Sequence, residues 1–179
     1  ILVAAGAGGH AGTLHPIPLI NEVKKIFSKT IVLSGCLSNG NDIASALQMG
    51  ADIAYMGTRF INVKESRAED NYKDMIMQSS AEDIVYTAAV SGVNANFLRP
   101  SLEAMGITEE QWKDTKKIDF GNTSDLAESE AKAWKTIWSA GQGVTSIKDS
   151  PRVSELVPLL KEEFVFALDK QKKLLDTYG

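Results

Sequence analysis

Apolar positions over the first sixty residues alternate between two arrangements. Unbroken runs at Ile1-Leu2-Val3-Ala4-Ala5, Thr30-Ile31-Val32-Leu33 and Ala51-Asp52-Ile53-Ala54-Tyr55-Met56 have the length and β-branched content of buried strands. Between them apolar residues recur at helical spacing, first at Ile17, Leu19, Ile20, Val23, Ile26 and Phe27, then at Ile43, Ala44, Ala46 and Leu47. Asn39 or Asn41 can cap the second helix, and Gly50 can end it. Strand–helix–strand–helix–strand with continuous apolar strands predicts a parallel sheet covered by helices. The strands start about 20 to 30 residues apart, as βα units do. Three such strands close no barrel and leave an apolar edge unpaired.

Past Phe60 the pattern changes. It predicts a helix over 65–79, one or two strands within 83–93, and helices over 102–117 and 126–139. Trp134 and Trp138 stand four apart on one face of the last of these and read as packing residues. Gly141-Gln142-Gly143 interrupts: either Gln142 faces the active site, or the two glycines end one helix and begin a turn. Pro151 opens a final helix that runs through Val153, Leu156, Val157, Leu159 and Leu160 past Phe164 and Leu168. The chain starts without Met inside an apolar run. Natural termini are usually polar and frayed, so this start reads as an interior point of a longer chain.

Composition narrows the function classes. The 179 residues, 44% hydrophobic and 23% charged, allow a sizeable core. A formal charge of −4, with Lys24-Lys25 and Lys116-Lys117 only as isolated pairs, argues against a nucleic-acid partner. One cysteine allows no intrachain disulfide, and two histidines without an H-E-x-x-H spacing give no reason to expect a metal. The apolar runs fall far short of the ~20 residues of a membrane span. The expectation is a cytoplasmic protein without nucleic-acid or membrane partners; a homodimer is left open.

In parallel α/β folds, chemistry gathers where strands end. The first strand runs into Gly6-Ala7-Gly8-Gly9-His10-Ala11-Gly12, the second into Ser34-Gly35-Cys36, and the third into Gly57-Thr58. A single glycine after a strand is more often a turn. Two such loops on successive strands, Gly35 and Gly57 being 22 residues apart, form a candidate phosphate cradle. His10 lies among small residues that give it little to pack on, and an imidazole is suited to taking a proton near neutrality. His15, before Pro16, reads as a structural or surface residue at a helix entrance. Cys36 reads as a small buried hydrophobe.

Ala7-Gly8-Gly9-His10-Ala11-Gly12, Leu33-Ser34-Gly35-Cys36, and Gly50-Ala51 through Met56-Gly57-Thr58-Arg59-Phe60 together resemble the nitronate monooxygenase family in order and spacing. The likeness continues through Asp83-Ile84-Val85-Tyr86-Thr87, Asn96-Phe97-Leu98-Arg99-Pro100 and Trp138-Ser139-Ala140-Gly141-Gln142-Gly143. The resemblance implies the last three βα units of an FMN-binding TIM-type (β/α)8 barrel over residues 1–62. A mostly helical, substrate-side segment over 63–143 and a C-terminal helix over 144–179 that packs back on the barrel would follow. His10 matches the catalytic histidine. Gly8, Gly9, Ser34, Gly35, Cys36, Met56, Gly57 and Thr58 match cofactor-binding positions. Cys36 departs from the family's usual small residue. The implied reaction oxidises alkyl nitronates with FMN and dioxygen to a carbonyl compound and nitrite. An FMN-dependent NADH:quinone or enoyl-thioester reductase on the same barrel, and an inactive fragment or binding module, are the alternatives.

Overall fold

The computed structural model describes residues 1–114 and 137–179. Three parallel strands form one sheet in the order β1 (Leu2–Val3), β3 (Val32–Ser34), β4 (Ile53–Tyr55). Leu2, Leu33 and Ala54 lie in one register row, as do Val3, Ser34 and Tyr55. Period-two alternation sends these rows to opposite faces. The Leu33 face is covered by α1 (Pro16–Lys24) and α2 (Gly40–Gln48), where Ala4, Ile20, Ile31, Leu33, Leu37, Ala46 and Ala51 form a buried cluster. The other face is bare: Val3, Ile53 and Tyr55 are 41%, 50% and 54% exposed. That is unusual for parallel strands, which are normally covered on both sides.

The helices start where the residues allow it. His15 caps α1, its Nδ1 accepting from the Ile17 N–H, and Pro16 tolerates the first turn because it has no N–H to satisfy. Asn39 rather than Asn41 caps α2: its side chain accepts from the Asp42 N–H at 2.9 Å, and the Asp42 carboxylate returns a bond to the Asn39 N–H. The α1 helix ends at Lys24, short of the expected Phe27.

Beyond β4 come α3 (Thr58–Ile61), α4 (Asp70–Gln78) and a 3₁₀ turn at Ala81–Asp83. The hairpin of β5 (Ile84–Thr87) and β6 (Ala95–Leu98) follows. The first strand of the hairpin falls within the expected 83–93 stretch, whereas β6 lies beyond it. All four β6 residues are buried, so they show no alternation to read. β6 also pairs antiparallel with β2 (Gly9–His10), giving a second sheet in the order β2-β6-β5. Of the helix expected over 102–117, residues 115–117 lie outside the described residues, and the rest is broken: α5 (Arg99–Ala104) stops before Gly106, whose φ of +74° ends it, and α6 (Glu109–Lys113) starts afresh. The helix expected over 126–139 lies outside the described residues, Trp134 included, except for Ile137–Ser139, which are irregular. A 3₁₀ turn at Gln142–Ser146 leads to α7 (Val153–Tyr178).

The α7 helix lies against α2 at close quarters. A side-chain carbon on Gly40 would meet the Phe164 nitrogen at 2.3 Å and the Leu160 oxygen at 2.4 Å, so only glycine permits this approach. Val63, Leu156 and Leu160 are buried beside this contact. Arg59, buried at the start of α3, donates to the Asp149 carboxylate at 2.8 Å and to its backbone oxygen, and so fixes the segment leading into α7.

Candidate functional site

At the carboxyl ends of the parallel strands lies a cavity of about 200 Å³. Gly8 lines it from the loop after β1, Ser34 to Ser38 from the loop after β3, and Tyr55, Gly57 and Thr58 from the end of β4. Three loops far apart in sequence thus meet in one place. Of the residues singled out from sequence, Gly8, Ser34, Gly35, Cys36, Gly57 and Thr58 come together here. Gly9, His10 and Met56 do not line the cavity. Met56 packs into the apolar clusters beside β4. Gly9 and His10 form β2, paired with Asn96 and Ala95, and His10 is exposed.

The cavity's other wall is a segment whose role sequence reasoning left open. Residues 137–143 fold inward, and Ser139, Gly141 and Gly143 line the cavity. Each attachment has a partner: the Trp138 N–H donates to Ser101 Oγ at 2.7 Å, the Leu98 N–H to the Trp138 oxygen at 2.9 Å, and the Gln142 N–H to the Gly6 oxygen at 2.8 Å. Tyr72 of α4 donates its hydroxyl to the Ser139 oxygen and stacks on Trp138 at 5.0 Å between centroids. Burial pushes the Tyr72 hydroxyl up to about 12, opposed by the bond to Ser139, so it stays protonated as a donor at any physiological pH.

Small residues make this approach possible. A carbon added at Gly141 would fall 2.7 Å from the Gly6 oxygen. One at Gly8 would fall 2.9 Å from Ala140, and one at Gly143 2.3 Å from Ser38 Oγ. The signal in the sequence was the pairing of two glycine clusters, Gly6 to Gly9 and Gly141 to Gly143. Nothing local says that they meet. Gly57 differs from all of these: a carbon there would meet nothing within 4 Å, and α3 begins at Thr58 with no side chain capping its first turn. The Thr58 hydroxyl is already engaged, accepting from the Gly141 N–H at 3.0 Å. What the Gly57–Thr58 turn can offer a ligand is its backbone together with the Thr58 O–H, since a hydroxyl that accepts one bond still has its proton to donate.

Charge around the cavity is arranged by α2. The Asp42 carboxylate accepts from the Ser38 and Asn39 N–H groups at 2.8 and 3.1 Å, and Glu163 of α7 accepts from the Gly40 N–H at 2.6 Å. Burial pushes the Asp42 carboxyl up, opposed by those two N–H groups and reinforced by the neighbouring charge of Glu163. Burial, aided by Asp42, also pushes the Cys36 thiol up, so it stays a neutral thiol. Its sulfur donates to the Ala5 oxygen at 3.5 Å and faces Gln142 Oε1 at 3.8 Å, which links Gln142 to the cavity rim. Cys36 also takes a left-handed φ of +60°, uncommon for a residue with a side chain.

Among the described residues no cluster of His, Cys, Asp and Glu is arranged to hold a metal ion, and no helix is long and apolar enough to cross a membrane.

A family model described as nitronate monooxygenase matches residues 1–163. A nitronate monooxygenase from Paraburkholderia phytofirmans is 30% identical over 116 residues, covering 59% of this chain and 32% of that protein. The nitronate monooxygenase npaC of Metarhizium robertsii is 26% identical over 148 residues, 77% of this chain and 42% of the relative. Among solved structures, a mutant FabK from Thermotoga maritima aligns with a TM-score of 0.73 at 25% identity, over 96% of this chain and 54% of its own. A nitroalkane oxidase from Streptomyces ansochromogenes aligns with a TM-score of 0.67 at 27% identity, over 94% and 52%. The chain shares the α/β, TIM-barrel-type architecture of these structures. It spans less than half the length of these two curated relatives and about half of each solved structure.

Proposed function

We propose a function on one premise: this chain belongs to the nitronate monooxygenase family, an oxidoreductase family. The reading is that it forms the last three βα units of an FMN-binding barrel. Within that barrel it serves the oxidation of alkyl nitronates and nitroalkanes by dioxygen, to a carbonyl compound and nitrite. A cytosolic setting and a pairing of two chains belong to the same proposal. The observation that carries it is the convergence of Gly8, Ser34-Gly35-Cys36 and Gly57-Thr58 on one cavity. The bare apolar face of the sheet supports the partial barrel, since parallel strands are normally buried on both sides.

The residues present fit the phosphate end of FMN. Gly57 leaves open space where a side chain would stand, and Ser38 Oγ is buried against the cavity wall without a hydrogen-bond partner among the described residues. The backbone of Gly35, Cys36, Gly57 and Thr58 would hold the phosphate, with the glycines letting the main chain approach it. The flavin, when bound, supplies the electron-transfer chemistry. His10 stands on β2, two residues beyond Gly8, and is exposed. It would take the proton from the carbon bearing the nitro group of a neutral nitroalkane, or donate a hydrogen bond to the preformed nitronate anion.

The test separates these two roles. In the protein that carries this chain, His10→Asn should retain flavin and fold, and should lose turnover of neutral nitroalkanes by about 10²- to 10⁴-fold. Turnover of a preformed nitronate, which has already given up its proton, should fall far less. Equal losses on both substrates would assign His10 to positioning, and no loss on either would remove it from the chemistry. A second reading is an FMN-dependent reductase of quinones or enoyl thioesters on the same barrel. Steady-state rates with NADH and a quinone, against nitronate and dioxygen, distinguish the two.

A further inference from the structure

Ser38 was not among the residues that sequence reasoning singled out, and the polar groups around it are almost all engaged. Its own N–H and that of Asn39 donate to Asp42, and the Gly40 N–H donates to Glu163. Its hydroxyl is the exception. Ser38 is 3% exposed, lines the cavity, and its Oγ has no hydrogen-bond partner among the described residues. A buried hydroxyl left unpaired is disfavoured, and such groups call for an explanation such as a ligand. No compensating structural use is visible: Oγ abuts Gly143 at a place where even a methyl carbon on that glycine would fall 2.3 Å away.

We propose that Ser38 is a phosphate-selecting residue. Its hydroxyl donates to the terminal phosphate monoester of a flavin nucleotide, so that this cavity retains FMN over riboflavin. The inference rests on the flavin reading above and adds to it a side-chain donor beside the backbone groups. The chemistry supports it on three counts. A serine hydroxyl rotates among staggered positions at little cost. A bond from it to an ionised phosphate is of the stronger, charge-assisted kind. The neighbouring N–H groups cannot take its place because carboxylates already hold them.

The experiment uses the full-length protein stripped of flavin, titrated with FMN, riboflavin and inorganic phosphate. Flavin fluorescence reports the first two, and the melting temperature reports all three. Ser38→Ala should weaken FMN by about 10-fold or more, the effect of one hydrogen bond to a charged group, and leave riboflavin within about 2-fold. Because Oγ is unpaired without ligand, the flavin-free variant should melt at or above the wild-type temperature. Its stabilisation by FMN and by millimolar phosphate should shrink. A lower melting temperature for the flavin-free variant would overturn the proposal, because the hydroxyl would then be structural. Equal weakening of FMN and riboflavin, or no weakening of either, would also overturn it. If the wild type itself binds FMN no better than riboflavin, the phosphate reading fails first, which separates the two failures.

Discussion

Gly57 is the position where ligand binding and folding can be pulled apart. Its φ of −102° and ψ of −66° lie in a region open to residues with a side chain, and an added carbon would meet nothing within 4 Å. Replacing it with valine should therefore leave the fold within about 1 kcal/mol of wild type, the scale of exchanging a helix-cap residue or rigidifying a glycine. The new isopropyl group would project into a cavity of about 200 Å³ and stand between the main chain and a phosphate. If two backbone donors are screened, two charge-assisted bonds of ~1.5–3 kcal/mol each are lost, together ~3–6 kcal/mol. That corresponds to ~10²- to 10⁴-fold in the FMN dissociation constant. The assay is the absorption spectrum of the purified full-length variant beside its flavin-free melting curve. A variant that melts normally but purifies without flavin meets the expectation. One that melts normally and keeps stoichiometric FMN refutes the cradle. The same substitution at Gly35 would be uninformative, because its φ of +122° disfavours any side chain and Ala4 atoms lie at 3.3 Å.

Two further predictions concern stability. Gly40→Ala would drive a carbon into the Phe164 nitrogen and the Leu160 oxygen, so despite alanine's helix preference of ~1 kcal/mol it should destabilise by about 2 kcal/mol or more; urea denaturation showing no loss would refute the close α2–α7 approach. The backbone N–H of Ser80 holds the Asp83 carboxyl below the usual range, with the Ser80 hydroxyl and Arg99 assisting against burial. A carboxylate with a lowered folded pKa contributes stability above its unfolded pKa and loses it as pH falls through the folded one. Asp83→Asn should therefore be less stable than wild type at neutral pH, with the gap closing in acid below about pH 4. Thermal melts across that range check the sign, and a gap that widens in acid would contradict it.

The βα units were legible because burial imposed them on the residues. Unbroken runs such as Ile31-Val32-Leu33 need an apolar home on both sides, and the helical spacing from Ile17 and from Ile43 needs one face each. Glycine loops at the strand ends were legible for a related reason, since only small residues serve there. What could not be read depended on partners distant in the chain. Gly9 and His10 have no strand propensity, and they form β2 only because β6 is there to pair with. Residues 137–141 are irregular, with Ser101, Tyr72 and Thr58 each holding one of their polar groups. The break at Gly106 was visible as a glycine, but the apolar spacing through it pointed the other way. Ser38 was invisible for a simpler reason: a serine in a loop draws attention only once its hydroxyl is seen to be buried with no hydrogen-bond partner among the described residues.

The two carboxylates at the start of α2 have a consequence for how this end of the molecule can change. A helix N-terminus attracts any dissolved anion. Here Asp42 and Glu163 act as tethered competitors, present at an effective concentration that dilute solutes do not reach. The start of α2 is thereby taken up by the protein's own carboxylates, and the proposed phosphate contacts fall to the short loops around Gly35 and Gly57. A lineage could exchange those few loop residues, and with them the ligand, while the helical layer and its contact with the C-terminal helix stay as they are.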